Sequence, residues 1–162
     1  MTEILLALLD EAFDKRSWHG TNLRGSVRGL SWEQAAARPA RGRHNTWELV
    51  VHCAYWKYAV RRRLTGEKRG SFPLEGSNFW VRPSAKPAGR NFSSADAVGW
   101  KRDVALLAEQ HRALRAAVAA FPAKRWTARA PGSPFTYAAL VRGAAAHDLY
   151  HAGQIQLLKR LQ

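Results

Sequence analysis

Apolar residues recur at steps of three and four along most of this chain, and that spacing is typical of helices with one buried face. The most regular run lies in the second half of the chain, at Ala97, Trp100, Val104, Leu107, His111, Leu114, Val118 and Phe121. No segment shows a sustained alternation of apolar and polar residues. The pattern therefore predicts an all-α protein.

Capping and breaking residues divide the pattern into four long helices. We expect them at about residues 2–29, from Asn45 to Gly66, from Ser93 or Ser94 to about Phe121, and from about Thr136 to the end. Asn45 and Glu48 form a candidate capping box for the second helix. Ser31 and Gln34 form another, which predicts a short helix in the first connection, ended by Pro39.

Each of the four predicted helices has one face too apolar for water, and packing these faces together gives a four-helix bundle. Residues 67–93, between the second and third helices, contain three prolines and read as a long irregular crossover. A crossover of this length can span a bundle, so the third helix can run parallel to the second. We expect up-down-down-up topology in a single domain over residues 1–162, a length sufficient for a full hydrophobic core.

The net charge of +14 comes from 26 lysines and arginines against 12 acidic residues. This excess of positive charge has three explanations: a solvated basic face, an anion-binding rim around a pocket, or a phosphate-binding surface. Because the bases are scattered and no nucleic-acid-binding motif accompanies them, we do not expect nucleic acid as a partner.

The chain has a single cysteine, Cys53, which excludes an intramolecular disulfide framework. No apolar run approaches the roughly 18 residues of a membrane span. The N-terminal stretch MTEILLALLDEAF is interrupted by acidic residues, unlike a secretory signal. We expect a cytoplasmic protein with no membrane contact.

Three histidines on two predicted helices are candidate metal ligands. His147 and His151 are four residues apart, and such side chains lie about 5–6 Å apart at Cβ on one helix face. His52 lies on the inward stripe of the second helix, at the same level in the expected topology. A lone histidine is usually a hydrogen-bonded core residue, but burying three without partners costs roughly a few kcal/mol apiece. One divalent ion at about 2.0–2.2 Å from each nitrogen would satisfy all three and leave an open position, as in catalytic sites.

Four further side chains are expected around this site. His19, on the inward stripe of the first helix, is expected to wall a pocket, with a fourth ligand or a general base as alternatives. Gln154, three residues after the last ligand, is expected to hold a metal-bound water or to contact a ligand. Trp56 is expected in the core or the pocket wall. Glu48 is expected to cap its helix, with a contact to a ligand as the alternative.

Three other polar residues near the predicted site are expected to have structural roles. His111 falls about two turns below the metal and is expected to be a core histidine. Asp148 points away from the ligands and is expected to bond a neighbouring helix. Cys53 also faces away and is assigned no chemistry.

Three stretches resemble the DinB-like (damage-inducible) superfamily of metal-binding four-helix bundles: WHGTNLRGSVRGLSWEQA, RHNTWELVVHCAYWKYAVRRRLTGE and HDLYHAGQIQLLKR. They follow one another in the family's order and cover nearly the whole chain. The resemblance implies an up-down-down-up bundle, frequently a homodimer, with a divalent ion held by residues that here are His52, His147 and His151. It also implies, from members of known activity, a metal-dependent transferase or isomerase that uses a thiol such as bacillithiol, mycothiol or glutathione.

Three functions are open on this basis. The first is an enzyme that activates a low-molecular-weight thiol or water, with Arg41, Arg43 or the Arg61–Arg63 run binding carboxylates of the cosubstrate. The second is a metal-bearing bundle that serves binding or stress response without turnover. The third is a non-specific nucleic-acid-binding protein. Three histidines accept zinc, nickel or iron, and arginines around the metal mouth would favour the enzyme.

Overall fold

The computed structural model describes residues 1–83 and 94–162. Its helices are α1 (Thr2–Phe13), α2 (Leu23–Val27), α3 (Trp32–Ala36), α4 (Thr46–Thr65), α5 (Ser94–Ala120) and α6 (Tyr137–Arg160). A 3-10 turn at Ala123–Arg125 and an isolated β-bridge between Arg129 and Thr136 shape the connection from α5 to α6. These residues contain no strand, which confirms the prediction of an all-α protein. Residues 84–93 of the predicted crossover lie outside the described residues.

Side-chain caps begin α3 and α6 where the sequence predicts them. Oγ of Ser31 accepts from the Gln34 N–H at 3.3 Å, and Oε1 of Gln34 accepts from the Ser31 N–H at 2.9 Å, which completes a capping box. Oγ1 of Thr136 caps α6. These bonds satisfy backbone donors that the first helical turn leaves without partners.

The ends of α4 also lie close to their predicted positions. Oδ1 of Asn45 accepts from the Glu48 N–H at 2.9 Å, so the amide caps the helix. At the other end, Gly66 has a φ of 77°, the left-handed conformation that glycine adopts readily after a last helical turn.

The predicted first helix is interrupted: α1 ends at Phe13, and within the predicted range helix resumes only in the short α2, Leu23–Val27. Residues 14–22 form a loop instead. Side-chain groups replace the helical hydrogen bonds there, because Nδ2 of Asn22 donates to the Lys15 carbonyl at 2.8 Å. Gly20, with a φ of 95°, lies outside helical geometry altogether.

The four long helices pack in pairs, with α1 and α4 each contacting both α5 and α6. The buried apolar residues form two clusters, one at each end of the bundle. In the first cluster, α1 and the start of α6 meet the ends of α4 and α5. In the second, the end of α1 and the end of α6 meet the starts of α4 and α5. Members are Leu5, Leu64, Val118 and Val141 in the first cluster and Phe13, Val50, Trp100 and Ile155 in the second. None of the described helices has both the length and the apolar composition that crossing a membrane requires.

Candidate metal centre

The rings of His52, His147 and His151 meet between α4 and α6. His147 and His151 are one helical turn apart on α6, and His52 faces them from α4. Nε2 of His147 lies 3.0 Å from Nε2 of His52 and 3.0 Å from Nε2 of His151. The helix spacing and the pairing of α4 with α6 thus direct three ring nitrogens at one point.

Hydrogen bonds at the far side of two of these rings fix which nitrogen carries the proton. Nδ1 of His52 is 2.7 Å from the carbonyl oxygen of Asn78, and Nδ1 of His151 is 2.7 Å from Oε1 of Gln154. Because both oxygens accept, the proton of each ring lies on Nδ1. The Nε2 lone pairs of both rings are therefore available for a cation.

All three imidazoles are held in the neutral form that metal binding needs. Burial lowers the pKa of His52 to about 4, against the opposing effect of its hydrogen bond to Asn78. Burial lowers the pKa of His147 to about 3, and the neighbouring His151 and His52 add to the effect. The pKa of His151 is also lowered, again chiefly by burial. At neutral pH no ligand proton has to be removed to admit an ion.

The spacing of the nitrogens fits a divalent ion. An ion about 2.0–2.1 Å from each nitrogen, with angles of about 90–110°, would place the nitrogens roughly 2.9–3.4 Å apart. The two closest Nε2 pairs are 3.0 Å apart, and all three ligand atoms lie within 4.8 Å of one another. Lone pairs at this distance repel unless a proton or a cation lies between them. Three protein nitrogens also leave room for a ligand from outside, the pattern of catalytic rather than structural sites.

A second group, Cys53, His147 and Asp148, also brings potential ligand atoms within 4.8 Å of one another, but it does not suit an ion. Burial raises the pKa of the Cys53 thiol well above its usual value, so the sulfur keeps its proton. Asp148 is 1% exposed and forms an ion pair with Lys57 of α4. Asp148 therefore bonds a neighbouring helix, as expected from the sequence.

The histidine cluster borders a cavity of about 650 Å³, a volume typical of small-molecule sites. Its apolar lining comprises Pro39, Leu49, Phe79, Leu157, Leu158 and Leu161. Its polar lining beside the three histidines comprises Arg43, His44, Tyr150 and Gln154. Of the arginines considered as contacts for a cosubstrate, Arg43 thus lies at this cavity.

The Glu48 carboxylate bonds to residues beside the cavity and does not complete the predicted capping box with Asn45. Its carboxylate accepts from Arg38 at 2.5 and 3.1 Å, from Nδ1 of His44 at 2.8 Å and from the Arg82 backbone N–H at 3.3 Å. Burial raises the pKa of this carboxyl, but the bonds from Arg38 and His44 outweigh it and leave the pKa below its usual value. Glu48 takes part in capping α4 only through its backbone N–H, which donates to Oδ1 of Asn45.

The remaining predicted residues fall at different distances from the cluster. Gln154 contacts His151, as described above. The Trp56 ring lies 6.3 Å from that of His52, and Trp56 lines a neighbouring groove of about 250 Å³ that shares His147 with the cavity. His19 is exposed in the loop after α1 and does not line the cavity. Its expected place depended on a helix reaching residue 29, and α1 ends at Phe13.

Sequence reasoning missed His44, Asn78 and Phe79. The Phe79 ring stacks between the rings of His44 and His52, with centroids 3.8 and 4.0 Å apart. Asn78, with a φ of 70°, accepts from Trp56 Nε1–H through its side chain at 3.1 Å, besides holding His52. The sequence did contain a signal for His44, because this histidine lies four residues before Glu48. The sequence contained no such signal for Asn78 and Phe79, because they lie in a loop and no helical periodicity predicts where their side chains point.

The family model described as the DinB superfamily matches residues 16–155, which include all three clustered histidines. No curated protein and no solved structure matches the chain.

Proposed function

The chain belongs to the DinB superfamily, and from its histidine cluster we propose that it binds one divalent metal ion and transfers a low-molecular-weight thiol, or water, to an electrophilic carbon. The observation that carries this proposal is the convergence of three neutral Nε2 atoms beside a cavity. The zinc, nickel or iron ion expected of three histidines would lower the pKa of a coordinated thiol or water, so that a nucleophile forms near neutral pH.

The chain's own residues divide the remaining work. His52, His147 and His151 hold the ion as neutral ligands, and Asn78 and Gln154 keep two of those rings in the required tautomer. Arg43, which lines the cavity, would bind a carboxylate of the thiol cosubstrate. The leucines of the cavity wall exclude water and favour an apolar electrophile.

Metal content tests the proposal first. Protein purified without added metal, stripped and reloaded with zinc, nickel or ferrous iron, is expected to hold about one ion per chain by elemental analysis. His147→Ala should lose the ion and stay helical, because a core of this size does not depend on the metal. His19→Ala, at an exposed loop histidine, is the matched control and should keep it.

Activity tests the proposal second. The reloaded protein is assayed with a panel of thiols and electrophiles, and conjugation that His147→Ala abolishes supports the transferase. Metal-loaded protein that is inactive across the panel would favour the alternative, a metal-bearing protein of binding or stress response.

We propose up-down-down-up topology for one domain over residues 1–162. Its support is the composition of the two apolar clusters, which place the start of α1 and α6 beside the ends of α4 and α5. An ion pair between Asp10 of α1 and Arg115, in the second half of α5, is consistent with that arrangement. The cytoplasmic location stays a prediction from the sequence.

We also propose a homodimer. An apolar stripe of α6 remains exposed at Gly143, Ala146, Tyr150, Gly153 and Leu157. These residues follow steps of three and four, and small side chains lie beside Tyr150 and Leu157. Two copies related by a twofold axis can therefore interlock along the stripe. A contiguous apolar surface of sufficient area marks a protein contact.

Nucleic acid is not proposed as a partner. Several basic side chains are matched with acids, in the pairs Arg24–Asp14, Arg61–Glu67 and Arg115–Asp10. Such pairing reduces the charge available to phosphates, and the sequence offers no reading motif.

A further inference from the structure

His44 is a second histidine site at the cavity, separate from the metal cluster. It lines the cavity, and its side chain is 47% exposed, whereas that of its partner Glu48 is 4% exposed. Nδ1 of His44 lies 2.8 Å from Oε2 of Glu48, so this ring carries a proton on Nδ1 and donates it to the carboxylate. Nε2 has no hydrogen-bond partner among residues 1–83 and 94–162 and is free to exchange a proton with a bound molecule.

Glu48 is fixed and ionised, as an orienting carboxylate must be. Two hydrogen bonds from Arg38 and one from the Arg82 backbone N–H hold it in place. A buried carboxylate bonded to Nδ1 sets the tautomer of a histidine and stabilises its protonated form, which is how general acid–base histidines are prepared. A histidine that served only to fill space would not need this partner.

The Phe79 ring fixes the plane of His44 relative to the metal cluster. The rings of His44 and Phe79 are parallel to within 3°, and those of Phe79 and His52 to within 8°. His44 is therefore separated from His52 by one aromatic ring, at stacking distances of 3.8 and 4.0 Å. A small molecule in the cavity can reach both the cluster and His44.

We propose that His44 is the general acid–base residue of the transferase and that Glu48 is its positioning residue. The inference rests on the proposed function. A thiol R–SH gives its proton to Nε2 of His44, and its sulfur forms a bond to the electrophilic carbon. The bond from that carbon to the leaving group breaks with its electron pair. A weakly basic leaving group such as chloride departs as an anion, and Nε2 then releases its proton to water. A basic leaving group takes the proton back from Nε2.

Charged and titratable groups of α4, α6 and the flanking segments surround His44. They are Glu48 and His52 of α4, His151 of α6, and Arg38, Arg43 and Arg82 of the flanking segments. Glu48 is the acid among them. Replacing Glu48 by glutamine keeps the shape and an acceptor oxygen but removes the negative charge that faces Nδ1 of His44.

The first experiment needs no turnover. Long-range ¹H–¹⁵N spectra of the zinc-loaded protein are expected to show neutral His44 with its proton on Nδ1, in a strongly downfield resonance that moves upfield in Glu48→Gln. A neutral His44 that carries its proton on Nε2 would overturn the inference, because that nitrogen could not then accept a proton from the cavity.

The second experiment measures transfer of glutathione or cysteine to 1-chloro-2,4-dinitrobenzene, with chloride as the leaving group. His44→Gln is expected to lower kcat by about 10²–10⁴-fold at unchanged zinc affinity. His19→Gln, which removes an exposed histidine that does not line the cavity, should match the wild type. Glu48→Gln should lower kcat at unchanged zinc affinity, because the Nδ1–H of His44 loses its anionic acceptor.

These readouts separate the two proposals. Zinc-loaded wild type without turnover for any thiol and electrophile would refute the transferase, and the proton-transfer role of His44 with it. A wild-type rate in His44→Gln, in a protein that does turn over, would refute the role of His44 alone.

Discussion

At the scale of single residues, oxygen atoms on the side away from the cluster's centre orient two of the three histidine rings. Gln154 illustrates this, since its Oε1 accepts from His151 Nδ1–H at 2.7 Å and so directs the Nε2 lone pair inward. The same role falls to the Asn78 carbonyl for His52. No such bond is described for Nδ1 of His147, so its orientation depends on packing and on α6.

Gln154→Ala is expected to weaken zinc binding by about 10–100-fold, because the His151 ring is no longer held in the metal-binding tautomer. At saturating zinc the variant should still hold about one ion per chain, and its transfer rate should fall. Competition with a chromophoric chelator measures the affinity. Gln154→Glu, which keeps an acceptor oxygen, is the matched control, and equal affinities of Gln154→Ala and the wild type would contradict this account.

His111 is a core histidine with a separate consequence, for stability in acid. Its ring stacks on Phe13 with centroids 3.8 Å apart, and burial, aided by nearby Lys57, lowers its pKa to about 3. In the unfolded chain the pKa of a histidine is about 6.5. Between these values the unfolded state binds the proton and the folded state does not, so stability falls as pH falls, by up to about 1.4 kcal/mol per pH unit.

His111→Phe is therefore expected to reduce the loss of stability between about pH 6.5 and 4, relative to the wild type. Chelator-treated proteins are unfolded with urea at several pH values, so that the metal histidines contribute equally to both. His19→Gln, at an exposed site, should keep the wild-type acid sensitivity. Parallel pH dependences of the free energy of unfolding in His111→Phe and the wild type would show that this reasoning is wrong.

At the scale of elements, the loop after α4 is as much a part of the site as the helices. Asn78 adopts a φ of 70°, and in that conformation its carbonyl faces His52 while its side chain meets Trp56. The next residue, Phe79, fills the space between His44 and His52. The loop thus orients one histidine of the cluster and forms part of the cavity wall.

Asn78→Ala is expected to destabilise the fold by about 1–2 kcal/mol and to weaken zinc binding, because alanine is strained in the left-handed conformation. Asn78→Gly tolerates that conformation and keeps the carbonyl, so its zinc affinity should stay closer to the wild type although its bond to Trp56 is lost. Denaturant unfolding measures the stability of the two variants, and chelator competition measures their zinc affinity. Equal zinc affinities for both would mean that the backbone conformation of residue 78 is unimportant.

Helical periodicity explains which parts of the site the sequence could predict. His147 and His151 lie on α6 at a spacing that fixes their relative direction, and the pairing of α4 with α6 brings His52 to them. The predicted position of His19 was wrong because α1 ends at Phe13, before it reaches this residue. In the loop that follows, side-chain hydrogen bonds to the backbone, such as that from Asn22 to Lys15, compete with helical hydrogen bonds. The spacing of apolar residues does not reveal that competition. Asn78 lies in a loop, where tertiary contacts alone set its direction.

At the scale of the whole molecule, the exposed stripe of α6 is adjacent to the cavity. Tyr150 and Leu157 belong to both, so a second copy packed on the stripe would also cover part of the cavity wall. Gly153 belongs to the stripe alone, and a Cβ added there would meet nothing within 4 Å. A long side chain at Gly153 therefore leaves the isolated chain undisturbed and obstructs only a partner.

Gly153→Lys is expected to convert the proposed dimer into a monomer, because a lysine at the centre of the stripe would have to be buried without an acidic partner. The isolated chain should be no less stable, since lysine favours helix more than glycine does. Light scattering after size exclusion should give twice 18.1 kDa for the wild type and 18.1 kDa for the variant. Ala116→Lys adds the same charge at an exposed position of α5 and should remain a dimer. A monomeric wild type at micromolar concentration, or a dimeric Gly153→Lys, would remove the α6 stripe as the interface, and the cavity would then be complete within one chain.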